Sequence, residues 1–194
     1  MIVYLTRHGQ SIYNVKKLLG GDSGLSDLGV KYSEELFNFF KDTDPDKINL
    51  ITSNMIRTKL TAKFFPKINY SFSFINEINA GIFEKMSTNH TMINNPEEYN
   101  KRKKDKFNYV YPKGESYKML QKRALQVLDY LKEDKINIII CHNAVLRVIY
   151  SYFNNIPNDQ MPHLDIPLHT LFYLKTNGRT IIEKNKIKII KRLG

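Results

Sequence analysis

Ile136-Asn137-Ile138-Ile139-Ile140 is the most apolar run of the chain, and it passes through Cys141-His142 directly into a helical pattern from about Asn143 to Phe153. A run of that length is strand-sized, and a helix that follows at once returns the chain across a sheet face. The same order occurs earlier. Ile2 to Thr6 reads as a strand ending in Arg7-His8-Gly9, and Ser26 as the N-cap of a helix through about Lys41, with Leu28, Tyr32, Leu36, Phe39 and Phe40 on one face. Ile48 to Thr52 reads as a second strand, Ser53 as a cap, and about Asn54 to Phe65 as a helix stopped by Pro66. Tyr70 to Phe74 is a third strand, and Ser116 opens an amphipathic helix to about Glu133 with Leu120, Ala124, Val127, Leu128 and Leu131 inward. Thr170 to Leu174, Thr180 to Glu183 and Ile187 to Ile190 read as edge strands. The alternation predicts an α/β fold of three layers, a mostly parallel central sheet with helices on both faces. Residues 75–115, polar, basic and short-helical or irregular, predict an insertion or lid over the active site.

At 194 residues, without repeats or linkers, the chain reads as one domain over 1–194. Its apolar runs are too short to span a membrane, and its start lacks the basic and apolar segments of a secretory signal. The single cysteine, Cys141, rules out an internal disulfide and fits a reducing, cytoplasmic compartment. The five histidines lack zinc-ligand spacing, so neither a metal nor a cofactor is expected.

The net charge of +11 is concentrated in two places: residues 101–106 carry five basic side chains against one acidic, and residues 179–194 carry six against one. Basic clusters raise a nucleic-acid or membrane-surface partner as an alternative. Lysine is abundant, whereas arginine occurs only at 7, 57, 102, 123, 147, 179 and 192, which makes the placement of those seven informative.

Ligands of doubly wound sheets bind where strands end and helices begin. Here the first strand ends in Arg7-His8, the second in Thr52-Ser53 with Arg57 one helical turn on, and the strand before residue 141 in His142, with Arg147 in the following helix. A guanidinium presents a planar fork to phosphate oxygens, and an imidazole serves as base or nucleophile near neutral pH. If these strands are parallel neighbours, two histidines and up to three arginines meet in one crevice, a composition suited to a phosphoryl group. Each residue alone has a plainer reading: Arg7 and His8 as a mere strand end, His142 as a hydrogen-bonded core histidine, Arg57 as a solvated helix residue. Cys141 reads as inert packing, and His90, His163 and His169 as structural or surface groups, although Pro167-Leu168-His169-Thr170 is open to a place near the site. Three independent strand ends together favour the site.

Arg7-His8-Gly9 with the later His142 resembles the histidine phosphatase (phosphoglycerate-mutase-like) superfamily. More narrowly, the chain is similar to the fructose-2,6-bisphosphatase domain of the bifunctional kinase/phosphatase. The similarity rests on Arg7-His8-Gly9-Gln10-Ser11, Gly20-Gly21-Asp22-Ser23-Gly24-Leu25-Ser26, Thr52 to Thr58, Asn76 to Gly81, Pro96-Glu97-Glu98, Tyr111 to Tyr117, Cys141 to Val145 and Pro167 to Thr170. The resemblance implies that His8 attacks the C2 phosphate and becomes a phosphohistidine, while Arg7, Arg57 and His142 hold the phosphoryl oxygens with Asn14 and Gly20 nearby. Glu77 would protonate the leaving sugar oxygen and then activate water; the residues alone do not choose it over Glu84. Arg102, Lys106 and Tyr117 would grip the C6 phosphate, and Arg147 with Asn143 close the sugar site. Such roles need a depressed pKa at His8, through nearby guanidinium groups, and a raised one at Glu77.

Thr88 stands where the family carries tyrosine, and Asn143 where it carries glutamine, so both departures fall in the sugar-phosphate grip. No phosphate-binding P-loop is present, which predicts a chain without a kinase domain. The expected partner is a small phosphorylated sugar, without nucleic acid or membrane. The alternatives are a broader sugar-phosphate phosphatase, a phosphoglycerate mutase, or, from another class, a catalytically dead basic binding module. The run Lys184 to Arg192 reads better as a lysine-bearing edge strand than as a binding patch.

Overall fold

The computed structural model describes residues 1–190. The end of the expected basic edge, Lys191 and Arg192, lies outside the described residues. The strands are β1 (Ile2–Arg7), β2 (Ile48–Ser53), β3 (Tyr70–Phe72), β4 (Ile136–Cys141), β5 (Thr170–Asn177) and β6 (Thr180–Lys188). The α-helices are α1 (Ile12–Val15), α2 (Asp27–Phe40), α3 (Ile56–Thr61), α4 (Thr88–Asn94), α5 (Pro96–Lys104), α6 (Tyr117–Ala124) and α7 (Asn143–Asn154).

One sheet in the order β3-β2-β4-β1-β5-β6 forms the middle layer. Its first four strands are parallel, whereas β5 runs antiparallel to β1 and β6 antiparallel to β5. Alternate residues of the strands feed two cores. Val3, Leu5, Ile51 and Ile139 pack with Leu120, Ala124, Val145, Val148 and Ile149, under α6 and α7. Leu50, Ile138 and Ile140 pack with Tyr32, Leu36, Phe40 and Ala62, under α2 and α3. Period-two strands buried on both faces, with period-3.6 helices outside them, give the expected three-layer α/β architecture.

Several local expectations are corrected. On α2 the buried positions are Gly29, Tyr32, Ser33, Leu36 and Phe40, while Leu28 and Phe39 are exposed. Ser53 is not a helix cap but the last residue of β2, and the next helix is only Ile56–Thr61, with Met55 in the cap position. The helix opened by Ser116 ends at Ala124 and tightens into a 3-10 segment, Leu125–Tyr130. Strand β3 gives way at Ser73 to another 3-10 turn. Thr170 to Leu174 is not an edge strand, because β5 lies between β1 and β6; the last two expected strands are one, β6, with Ile189 and Ile190 beyond it.

Register places the chemistry. Arg7 is paired with Cys141 across the parallel β1–β4 ladder, and the His8 amide donates to the Cys141 carbonyl at 3.0 Å. The two histidines that follow therefore leave adjacent strands side by side. Beyond His8 the backbone lies directly on α2: a Cβ on Gly9 would come within 2.5 Å of the Gly29 carbonyl oxygen, and a Cβ on Gly29 within 2.1 Å of the Gln10 carbonyl oxygen.

Candidate active site

The His8 and His142 rings are 5.2 Å apart between centroids, and both are buried. His8 Nδ1 lies 2.7 Å from the Gly9 carbonyl oxygen. A carbonyl only accepts, so Nδ1 carries the proton and Nε2 keeps its lone pair. Arg57 Nε donates to that Nε2 at 3.0 Å. Burial, then the charges of Arg57 and Arg7, hold the His8 pKa well below the ordinary imidazole value. The guanidinium groups do depress it, as expected, but burial acts more strongly.

Arg57 is fixed by its other contacts, with Nη1 donating to the Gly21 carbonyl at 2.6 Å and to Asp22 Oδ1 at 3.3 Å. Asp22 also accepts from the Ile56 amide at the start of α3, so one carboxylate ties the Gly20-Gly21 loop to the arginine's helix. Gly20 itself has φ +55°, and a side chain there would run into the Glu84 carboxylate. Glu84 accepts amide hydrogens from Gly21 and Ala80, a loop-bracing role. Burial lowers the Arg57 pKa and takes that of Arg7 down to about 10, so Arg7 remains charged at neutral pH.

His142 Nε2 lies 2.8 Å from Ser53 Oγ. The serine that the sequence casts as a cap thus positions a histidine instead. His142 Nδ1, Arg7 Nε and Asn143 Oδ1 are buried polar atoms without a partner among the described residues. Arg7 Nη1 donates to the Ile166 carbonyl at 2.9 Å. Arg7, His8, Asn14, Gly20, Arg57, Glu77 and Asn143 line one cavity of about 150 Å³, together with Ser11, Tyr13, Leu18 and Leu19. Asn14 closes a capping box with Ser11 at the start of α1.

Glu77 lies in an irregular segment and lines the same cavity as His8. Its Oε1 accepts from the Ile78 amide at 3.0 Å and the Ala144 amide at 3.1 Å, and Oε2 accepts from the Asn143 amide at 3.1 Å. The last two amides are among the first-turn donors of α7 that have no partner within the helix.

The remaining expected residues form a neighbouring cationic cluster outside that cavity lining. Arg147 Nη1 donates to the Tyr117 hydroxyl at 2.9 Å, and its Nε to the Leu164 carbonyl at 2.8 Å. Lys106 Nζ donates to the Pro162 carbonyl at 2.7 Å, and Arg102 Nε to the Tyr111 hydroxyl at 2.6 Å. Burial, then the charges of Arg147 and Arg102, push the Lys106 pKa down to about 8. The charge of Arg147 is also felt at Arg7, which links the two groups. Thr88 is exposed at the start of α4 and shares a small cavity with Arg102 and Tyr111.

His169 does lie near the site: its Nε2 accepts from the Gln10 amide at 3.2 Å, and burial takes its pKa down to about 4. His90 and His163 are exposed, and burial pushes the Cys141 thiol up. Among the described residues no group of three or more His, Cys, Asp or Glu is arranged to hold a metal ion, and no helix is long and apolar enough to cross a membrane. Ser53, named with Thr52 as a strand end of the site, pairs with His142; Asp22, read only as part of a motif, holds Arg57, and Arg123 is the one scarce arginine near the site left without a role.

Residues 3–185 match the family model described as histidine phosphatase superfamily, branch 1. The fructose-2,6-bisphosphatase of Saccharomyces cerevisiae is 39% identical over 175 residues, covering 89% of this chain and 38% of that protein. The 6-phosphofructo-2-kinase/fructose-2,6-bisphosphatase 1 of Mus musculus is 39% identical over 172 residues, covering 89% and 36%. The chain thus spans well under half the length of these curated relatives. Among solved structures, the alpha-ribazole phosphatase of Shigella flexneri superposes with a TM-score of 0.82 at 19% identity, over 93% of both chains, a likeness of fold. With strand ends, register and family pattern in agreement, the chain belongs to the histidine phosphatase superfamily.

Proposed function

We propose that the chain hydrolyses fructose 2,6-bisphosphate to fructose 6-phosphate and inorganic phosphate through a phosphohistidine on His8. The observation that carries this reading is the His8 ring: Nδ1 bonded to the Gly9 carbonyl, Nε2 unprotonated, and two guanidinium groups around it. In the first step the Nε2 lone pair forms a bond to phosphorus as the bond from phosphorus to the C2 oxygen breaks, and that oxygen takes a proton from Glu77. In the second, water attacks phosphorus, gives a proton to Glu77, and the P–N electron pair returns to Nε2. Arg57 must release Nε2 to a phosphoryl oxygen as substrate enters. Arg7 Nε and His142 Nδ1, the unpartnered buried nitrogens, serve as further donors to the charge on the phosphoryl group.

The relatives named as fructose-2,6-bisphosphatases support the substrate class. So does the cationic cluster of Arg102, Lys106 and Arg147 with Tyr117, which suits a second phosphate. In this reading residues 75–115 form the insertion that supplies Glu77, Arg102 and Lys106, and the sugar bisphosphate places the protein in the cytoplasm. A broader sugar-phosphate phosphatase is the second reading, favoured by the unfilled cavity of about 30 Å³ that Thr88 shares with Arg102 and Tyr111.

A substrate panel read by phosphate release separates the two. Preference for fructose 2,6-bisphosphate over fructose 1,6-bisphosphate and phosphoglycerates is expected, and equal turnover would end the narrow reading. An acid-labile phosphoenzyme should form in the wild type and vanish, with more than about 10³-fold loss of turnover, in His8→Ala. Label that persists in the variant would refute the nucleophile.

A further inference from the structure

Glu77 lies in a segment with no helix or strand to hold it: β3 ends at Phe72, and residues 76–80 are irregular. Proton transfer tolerates little misplacement of the acid, so something else must fix this backbone. The structure places one side chain on it. Arg123, in the last turn of α6, directs Nη1 to the Phe74 carbonyl at 2.8 Å and the Asn76 carbonyl at 2.9 Å, and Nη2 to the carbonyl of Glu77 itself at 3.2 Å. Its two remaining N–H groups meet the carboxylate of Glu115, Nε donating to Oε2 at 2.9 Å and Nη2 to Oε1. All five guanidinium donors are therefore committed, three of them to carbonyls of the acid-bearing segment.

Glu115 completes the clamp. It immediately precedes Ser116, the N-cap of α6, and its Oε1 also accepts from the Asn79 amide at 2.8 Å, while its own amide donates to the Asn79 carbonyl at 3.0 Å. The guanidinium and carboxylate are only 25% and 12% exposed, so the pair is largely withdrawn from solvent competition. The segment from Phe74 to Asn79 is thereby held from one side by α6, while the Glu77 carboxylate is held from the other by the first amides of α7.

We propose that Arg123, oriented by Glu115, is a positioning residue that sets where Glu77 delivers its proton. The proposal rests on the reading of Glu77 as the acid. Arg123 acts through main-chain carbonyls and does not line the phosphoryl pocket, so its loss should leave attack by His8 intact and impair the two proton transfers of Glu77, to the leaving oxygen and from the attacking water. A lysine has three donors around one point and cannot reproduce a planar five-donor array.

The test compares two leaving groups in the full chain. A sugar alkoxide needs the acid, whereas the phenolate of p-nitrophenyl phosphate departs without one. In Arg123→Lys and Arg123→Met, the rate of phosphoenzyme formation from the sugar phosphate preferred by the wild type should fall on the order of 10²-fold, whereas the burst of p-nitrophenol that accompanies phosphoenzyme formation from p-nitrophenyl phosphate should stay within about threefold. Glu115→Gln should show the same pattern more weakly. In a Glu77→Gln background the Arg123 substitution should add almost nothing, because the group it positions is gone.

Parallel loss of phosphoenzyme formation on both substrates would mark Arg123 as a merely structural brace and overturn the proposal, as would an unchanged rate of formation on the sugar phosphate. A retained p-nitrophenol burst also certifies that the variant is folded. If Glu77→Gln itself fails to separate the two substrates, the acid assignment falls first and the positioning role with it. A separation by Glu77→Gln but not by Arg123→Lys or Arg123→Met sinks the positioning role alone.

Discussion

The phosphoryl pocket and the cationic cluster beside it rest on different foundations. His8, His142 and Ser53 are attached to the ends of neighbouring strands, and their spacing is set by the β1–β4 and β2–β4 ladders. Their side chains are buried and bonded to backbone or to one another. Arg102 and Lys106 hang instead from α5 and the turn after it, half-buried, each with one hydrogen bond to the protein. The first group can be placed by sheet register alone. The second depends on how short helices of the 88–104 region settle on the core, which makes it the more adjustable part of the site. A fold built this way can keep one phosphoryl chemistry while its grip on the rest of the substrate changes.

That contrast can be broken experimentally. Arg57→Ala removes a donor from the rigid group and should lower kcat by roughly 10²- to 10³-fold. Lys106→Met should instead raise KM about tenfold with kcat nearly unchanged. If the two variants shift the same parameter, the division between a chemical pocket and a separate grip is wrong.

A pH series sharpens the same point without a change in the pocket. Lys106, pushed down to about 8, is charged below that pH and neutral above it. Its attraction for an anion is therefore present at pH 7 and lost as pH rises through about 8, so kcat/KM should fall on that limb. Lys106→Arg keeps its charge and should flatten the limb. His8, whose pKa lies well below the ordinary value, stays unprotonated at neutral pH and above, and so does not produce it. The smallest effect is expected from Thr88→Tyr, which fills the space beside Arg102 and should lower KM a few-fold. An unchanged KM would separate that position from the substrate.

The difference between the two regions also explains how much could be read beforehand. Arg7, His8, Arg57 and His142 stand at strand ends or one helical turn beyond, where local apolar patterns locate them within a residue or two. The helix expected from Ser116 to Glu133 instead gives way to 3-10 turns after Ala124, which the apolar spacing alone does not distinguish. Thr170 to Leu174 has the composition of any short strand, and nothing local says that it inserts between β1 and β6. Arg123 was invisible for a deeper reason. The partners that give it this role are carbonyl oxygens of residues 46 to 49 positions away, and a main-chain carbonyl leaves no trace in residue type. Asp22 was legible as part of a motif but not as the tether between Arg57 and the Gly20-Gly21 loop.

The bond between His8 Nδ1 and the Gly9 carbonyl has a consequence for how protons move during turnover. In the proposed cycle the opposite nitrogen receives and releases the phosphoryl group, while Nδ1–H can remain donated to the same oxygen throughout. The ring then changes its bonding partner twice per cycle without exchanging its own hydrogen. Acid and base duty is left entirely to Glu77, and the nucleophile is ready for the next substrate as soon as phosphate departs, with no reset of tautomer in between.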